Sequence, residues 1–118
     1  MQFLNEMAPL ALAAVPELVS YGLVLPNRKV YYHQCVTGIG KDPEAPWRLI
    51  RESCQVLKLH RYFPARLEFR LAGLTICGAD YDHCTLGAII RSDIKSPTDS
   101  VWKFIESLAQ RVEQESRQ

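Results

Sequence analysis

Two cysteines and a histidine surround a short acidic segment, CGADYDHC, at residues 77–84. Thiolate and imidazole groups are common zinc ligands, and a cysteine beside a base can act as a nucleophile. If residues 79–82 form a four-residue turn, Cys77 faces Cys84 across a hairpin and both sulfur atoms lie on one side of a sheet. His83 would then point to the other side. The segment therefore raises two hypotheses, a metal site and a thiol nucleophile.

Neither chemistry is complete within this segment. A structural zinc site holds four ligands in a tetrahedron, so His33, Cys35 or His60 would have to complete it from elsewhere in the fold. A nucleophilic cysteine needs a neighbouring base and an electropositive pocket that lowers its pKa. We therefore interpret the two cysteines as small buried side chains. A small metal- or thiol-dependent enzyme centred on the three residues stays open as an alternative.

Two further motifs have simpler explanations. Asp80 and Asp82 are typical of a turn, because their carboxylates accept hydrogen bonds from nearby backbone N–H groups. The segment TGIGK at residues 37–41 lacks the spacing of a phosphate-binding loop, G-x-x-x-x-G-K-[ST]. Glycine flexibility between a strand and a helix accounts for it. The sequence thus predicts no catalytic residue, no metal site and no cofactor.

Length and composition indicate one ordinary globular domain spanning residues 1–118, with 47% hydrophobic and 23% charged residues. The 14 basic and 13 acidic side chains leave a net charge of +1, so no overall field favours nucleic acid or an anionic membrane. The longest apolar run, residues 8–15, is far shorter than a bilayer span. Four cysteines without C-x-x-C spacing favour free thiols in a reducing compartment. We expect a cytoplasmic protein without a nucleic-acid or membrane partner.

Hydrophobic periodicity predicts the order helix, two strands, helix, three strands, helix. Proline, asparagine and glycine residues mark the turns, and Asp42 can cap the second helix. The final residues, 112–118, are polar except Val112 and are expected to fray. The predicted elements are a helix over 3–15, strands over 21–25 and 30–36, a helix to about residue 62, strands over 67–71, 74–77 and 85–92, and a helix that opens at 96–99.

The second predicted helix has two apolar stripes. The first stripe consists of Trp47, Ile50, Cys54 and Leu57. The second lies on another side of the helix and consists of Leu49, Ser53, Val56 and His60. A domain of this size with one sheet covers one side of such a helix, so the second stripe suggests burial against another chain.

Two segments resemble the roadblock/dynein light chain family. VPELVSYGLVLPNRKVYYHQ (15–34) is similar to the opening hairpin of that family, and LEFRLAGLTICGADYDHCTLGAIIRSD (67–93) to its last three strands. The resemblance covers nearly the whole chain. It departs from the family pattern at Pro26 and Asn27, where an acidic residue followed by glycine is frequent.

The resemblance implies an α+β fold related to profilin and longin domains, with a five-stranded antiparallel sheet in the order α-β-β-α-β-β-β-α. It also implies a non-enzymatic homodimer, in which the second helix and the third strand join two sheets edge to edge. Family members act as scaffolds and regulators, often of Ras-like small GTPases. The implied dimer contacts are Trp47, Leu49, Ile50, Ser53, Val56, His60 and Phe69.

A secretion-type chaperone is a second alternative, because such chaperones are also small α/β dimers that wrap an extended client. They tend to be acidic, whereas this chain is nearly neutral. The preferred hypothesis is a cytoplasmic homodimeric scaffold or GTPase regulator that is not an enzyme.

Overall fold

The structure, a computed structural model, describes residues 2–36, 42–62, 66–71, 73–81, 84–91 and 99–116. Within these residues, four helices and five strands form an α+β fold, and the five strands make one antiparallel sheet in the order β2-β1-β5-β4-β3. This confirms the predicted class. The elements are α1 (Gln2–Glu6), α2 (Ala8–Ala14), β1 (Leu18–Val24), β2 (Val30–Gln34), α3 (Ala45–Leu59), β3 (Arg66–Leu71), β4 (Leu74–Tyr81), β5 (Cys84–Arg91) and α4 (Asp99–Ser116).

The first predicted helix is two short helices instead of one. The break falls at Met7, and Pro9 lies in the first turn of α2. Proline has no N–H group and its ring clashes with the carbonyl four residues earlier, so it cannot continue α1. In the first turn of a new helix the missing N–H group has no cost, which explains where the chain breaks.

Other boundaries differ from the prediction by a few residues. β2 ends at Gln34 and α3 at Leu59, both earlier than expected. α4 continues to Ser116, beyond the residue at which we expected fraying. Its predicted opening at residues 96–98 lies outside the described residues. Among the described residues, no helix is both long enough and apolar enough to cross a membrane.

The turn between β4 and β5 was predicted in the wrong register. Cys77 pairs with Ala88 instead of Cys84, and Cys84 pairs with Tyr81. The reason is that β4 extends through residues we had interpreted as the turn, which leaves only residues 82–83 between the strands. Both cysteines still lie on one side of the sheet, because both belong to the same buried cluster.

Helices cover both faces of the sheet. α1, α2 and α4 pack on one side, here called the α4 face, with Tyr21 and Leu86 at its centre. There the Tyr21 ring meets Phe104 edge-on at 5.2 Å between centroids. Of the described helices, only α3 packs on the other side, the α3 face. Its buried residues are Val19, Val24, Trp47, Ile50, Cys54, Ile76 and Ile89.

A row of glycines crosses the three central strands on the α3 face. Gly22 pairs with Gly87, and Gly87 pairs with Gly78. A Cβ atom at Gly78 would lie 2.6 Å from Cγ2 of Ile50, and one at Gly87 would lie 2.8 Å from Cζ3 of Trp47. Since both distances are shorter than real contacts, α3 can approach this closely only because side chains are absent there.

We expect Gly78→Ala to destabilise the protein by about 1–3 kcal/mol, because the added methyl group would overlap Ile50. Ile50 is β-branched and has little rotamer freedom in a helix, so it cannot turn away. Urea denaturation measures the loss. In an Ile50→Ala background the same substitution should cost much less, since the clashing methyl group is gone. An equal cost in both backgrounds would contradict this account of the glycine row.

Candidate functional site

The two apolar stripes of α3 differ in their burial. Trp47 and Ile50, which we expected at a dimer contact, are each only 1% exposed and pack against the sheet. That expectation is corrected, because these two side chains are too deeply buried to meet a second chain. Leu49 and Val56 are 40% and 54% exposed.

The remaining predicted contact residues lie around this exposed pair. His60 is exposed just beyond the end of α3, and Ser53 is half-buried between Leu49 and Val56 along the helix. Phe69 is half-buried in β3 and packs against the core of the α3 face. Each of these five residues, Leu49, Ser53, Val56, His60 and Phe69, therefore keeps some exposed area that another molecule can contact.

Two exposed leucines were missed by sequence reasoning. Leu59 is 82% exposed on the last turn of α3, outside the predicted stripe. Leu71 is 55% exposed at the end of β3. The period-two pattern of β3 contained a signal for Leu71, because it places that residue on the same side as Leu67 and Phe69.

An apolar cleft of about 420 Å³ connects the helix to this end of the sheet. Leu49 and Leu71 both line it, and its polar lining residues are few. The lining residues are Val19, Ser20, Gln34, Asp42, Pro43, Ala45, Pro46, Leu49, Leu71, Leu74, Ile76 and Ile89. We name the cleft together with Leu49, Val56, Leu59 and Leu71 the α3–β3 surface.

β3 is an edge strand of the sheet. It pairs with β4 on one side, and its other side has no partner strand within the residues that the structure describes. Arg66, on the α4 face, donates to Glu106 at 3.2 Å and lies 4.7 Å from the centroid of the Trp102 ring. Free strand edges can hydrogen-bond to a strand of another chain. The α3–β3 surface thus combines apolar side chains with a backbone edge.

A buried carboxylate anchors the C-terminal half of α3. Asp80 lies within β4 with its side chain only 7% exposed, so its interpretation as a solvated turn residue is wrong. It accepts a hydrogen bond from Thr85 Oγ1 at 3.1 Å and forms an ion pair with Lys58 of α3. Burying a charged carboxylate is costly unless it is paired, so the ion pair links the helix position to the sheet. Asp82 lies outside the described residues.

The cysteine hypothesis finds little support in the environment of the thiols. Burial raises the pKa of Cys77 to about 12 and that of Cys84 to about 11, so both stay protonated near neutral pH. A protonated thiol is neither a good nucleophile nor a metal ligand. His83 lies outside the described residues, and among those described no three His, Cys, Asp or Glu side chains converge as a metal site would need.

Burial of these thiols should make the stability fall as the pH rises. An unperturbed cysteine ionises near 9.0, whereas Cys77 and Cys84 keep their protons in the folded chain to higher pH. In that window the folded state binds more protons than the unfolded state, so the free energy of unfolding decreases with pH. We expect a loss of about 1 kcal/mol for each thiol between about pH 8 and about pH 10 in urea titrations.

The matched control is a double variant, Cys77→Ala with Cys84→Ala, which should lose most of this pH dependence. Cys35→Ala, at a half-buried position, should change it less. Equal pH dependence in the wild type and the double variant would show that these thiols do not ionise differently on folding.

Comparison with known proteins assigns neither a family nor a function to this chain. No protein-family model matches the sequence. No curated protein shows significant similarity to it. A function must therefore be argued from the residues and geometry of this chain.

Proposed function

We propose that this chain is a non-enzymatic homodimeric scaffold or regulatory protein of the roadblock type, in which the α3–β3 surfaces of two copies meet. The observation that carries the proposal is an exposed apolar helix stripe beside β3, whose outer side has no partner strand among the described residues. A second copy could cover the leucines and valine of α3 and extend the sheet across β3. One contact would then both cover the exposed apolar side chains and give β3 a second partner strand.

The order of elements supports this proposal. The five-stranded antiparallel sheet and the helix α3 between β2 and β3 are consistent with the fold that the sequence resemblance implies, although two short helices stand where it implies one. In that architecture the second long helix and the third strand form the dimer contact. Here the same two elements carry Leu49, Val56 and Leu71, which are all partly exposed.

Energetics also favour a two-fold contact. Complete burial of an aliphatic side chain contributes roughly 1.5–3 kcal/mol, and the four apolar side chains of the α3–β3 surface start between 40% and 82% exposed. In a two-fold interface every contact occurs twice, so even partial burial is doubled. Such a sum can offset the loss of translational and rotational freedom on association.

The proposed dimer would act on a Ras-like small GTPase, the partner class that the sequence resemblance implies. The chemistry of the described thiols is consistent with a binding role, because raised pKa values leave them poorly reactive. A scaffold needs a rigid surface rather than an activated group, and the helix anchored by Lys58 and Asp80 provides one.

Replacing Leu49 and Val56 together by glutamate should convert the dimer to a folded monomer. Four carboxylates would then face each other across the two-fold contact, and we expect the dissociation constant to rise at least about a hundredfold. Light scattering coupled to size-exclusion chromatography gives the mass, and circular dichroism verifies the fold.

The matched control replaces Leu10 and Leu12 by glutamate. These residues are 77% and 39% exposed on α2, so the change in charge and exposed area is similar, yet they lie on the opposite side of the sheet. The control should stay dimeric. A monomeric wild type, or a dimer that persists in the Leu49 and Val56 variant, would reject the proposed interface.

The GTPase part is tested separately by affinity capture from native extract. The wild type and the Leu10 and Leu12 variant should retain a small GTPase that mass spectrometry identifies, and the monomeric variant should lose it. Dimerisation without any retained GTPase would keep the scaffold and reject this class of partner.

A further inference from the structure

β2 is the edge strand at the opposite end of the sheet from β3. It pairs with β1, and its other side has no partner strand within the parts of the chain that the structure describes. All the residues of β2 are half-buried, so the strand can be reached from solvent along its whole length. Since β1, β5 and β4 separate the two edges, a contact at β3 leaves β2 open.

The hydrogen bonds of the hairpin formed by β1 and β2 show which backbone groups of β2 point outward. Leu25 N–H donates to Lys29 O at 2.9 Å, and Cys35 N–H donates to Val19 O at 2.8 Å. In an antiparallel pair, residues bonded to the partner alternate with residues whose N–H and C=O groups point away from it. The odd-numbered residues from 29 to 35 therefore bond to β1. The outward residues are Val30, Tyr32 and Gln34.

The start of β2 is basic. Arg28 and Lys29 directly precede the strand and are both exposed. Neither takes part in an ion pair among the described residues. The sequence has no aspartate or glutamate between Glu17 and Asp42. This end of the edge therefore has a positive charge that its own hairpin does not neutralise.

Arg28 has a backbone conformation that is unfavourable for its residue type. Its φ is 70°, in the left-handed region that glycine adopts without steric cost. The turn holds it there, because Arg28 N–H donates to Leu25 O at 2.9 Å just before the chain enters β2. Residues kept in such conformations are concentrated at functional sites. An arginine where glycine would suit the turn better thus indicates a function for its side chain.

We propose that the β2 edge binds an extended acidic segment of a partner protein as an added antiparallel strand. The outward N–H and C=O groups of β2 would supply the backbone hydrogen bonds. An antiparallel strand runs opposite to β2, so its C-terminal end lies beside Arg28 and Lys29. Aspartates or glutamates at that end would meet the two positive charges, and this complementarity selects both the partner and its direction.

Two tyrosines of β2 offer contacts on the two faces of such a strand. Tyr31 packs against the buried cluster of the α4 face, and Tyr32 packs against that of the α3 face. Directly opposite side chains on neighbouring strands lie about 4.5–5.5 Å apart, within reach of an aromatic ring. β-branched residues of the added strand would therefore pack against both rings. A second copy of β2 suits the edge less well, because its sequence, VYYHQ, has no acidic residue.

The test uses three peptides with blocked termini that share a core of alternating valine and threonine. The first has two glutamates at its C-terminal end, the second has them at its N-terminal end, and the third has two lysines at its C-terminal end. Amide hydrogen exchange of the full chain is followed by NMR. The first peptide should slow exchange at Val30 and Tyr32 at least about tenfold, whereas Tyr31, already bonded to β1, should change little. The other two peptides should bind at least about fivefold more weakly.

Arg28→Gly separates the role of the side chain from that of the backbone. The substitution removes one positive charge and also relieves the unfavourable φ. It should therefore raise the urea midpoint of unfolding while weakening binding of the first peptide by about threefold or more at low salt.

The matched control is Arg61→Gly. Arg61 is also exposed, and its φ is 64°. It lies just beyond α3, whose last turn is tied through Lys58 and Asp80 to β4 and not to β2. The control makes the same change in charge and backbone, so it should gain stability and bind the first peptide as the wild type does.

Three results would overturn the inference: equal binding of the three peptides, equal loss of binding in the Arg28 and Arg61 variants, or unchanged exchange at Val30 and Tyr32. Exchange at these two residues that slows with protein concentration alone would also overturn it, because a second copy would then occupy the edge. The inference does not rest on the proposed dimer. The Leu49 and Val56 variant should still bind the first peptide, so either proposal can fail without the other.

Discussion

The close packing of α3 against the sheet is the constraint on which the rest of this structure depends. Gly78 and Gly87 have no side chains at the points where Ile50 and Trp47 contact the sheet. The ion pair between Lys58 and Asp80 holds the C-terminal half of the helix against the sheet. A helix held this close buries Trp47, Ile50 and Cys54 and leaves the flanking residues at the surface. The exposure of Leu49 and Val56 therefore follows from the packing of their neighbours.

Sequence reasoning found the elements better than their packing. Period-two and period-3.6 patterns were sufficient for the sheet class and the long helices, because those patterns report which side of an element is buried. They could not tell that Trp47 and Ile50 fill the space above two glycines, since this depends on residues far apart in the chain. The same limit explains Asp80: acidic residues near a turn usually meet solvent, and only the register of β4 with β5 places this one beneath Lys58.

The α3–β3 surface is mostly apolar and adjoins β3, which has a partner strand on only one side among the described residues. Such a surface suits an identical chain that presents the same surface in return.

The position of β5 between β1 and β4 governs how the chain can assemble. β1 comes early in the chain, but one of its two neighbouring strands is β5, the last of the five described strands. During synthesis the β1-β2 hairpin therefore has much of its apolar surface uncovered until β5 can pair with it. Completion of the sheet then depends on a contact between distant parts of the chain, which has a large loop-closure cost in entropy. β1 can therefore take its place inside the sheet only once β5 is available to pair with it.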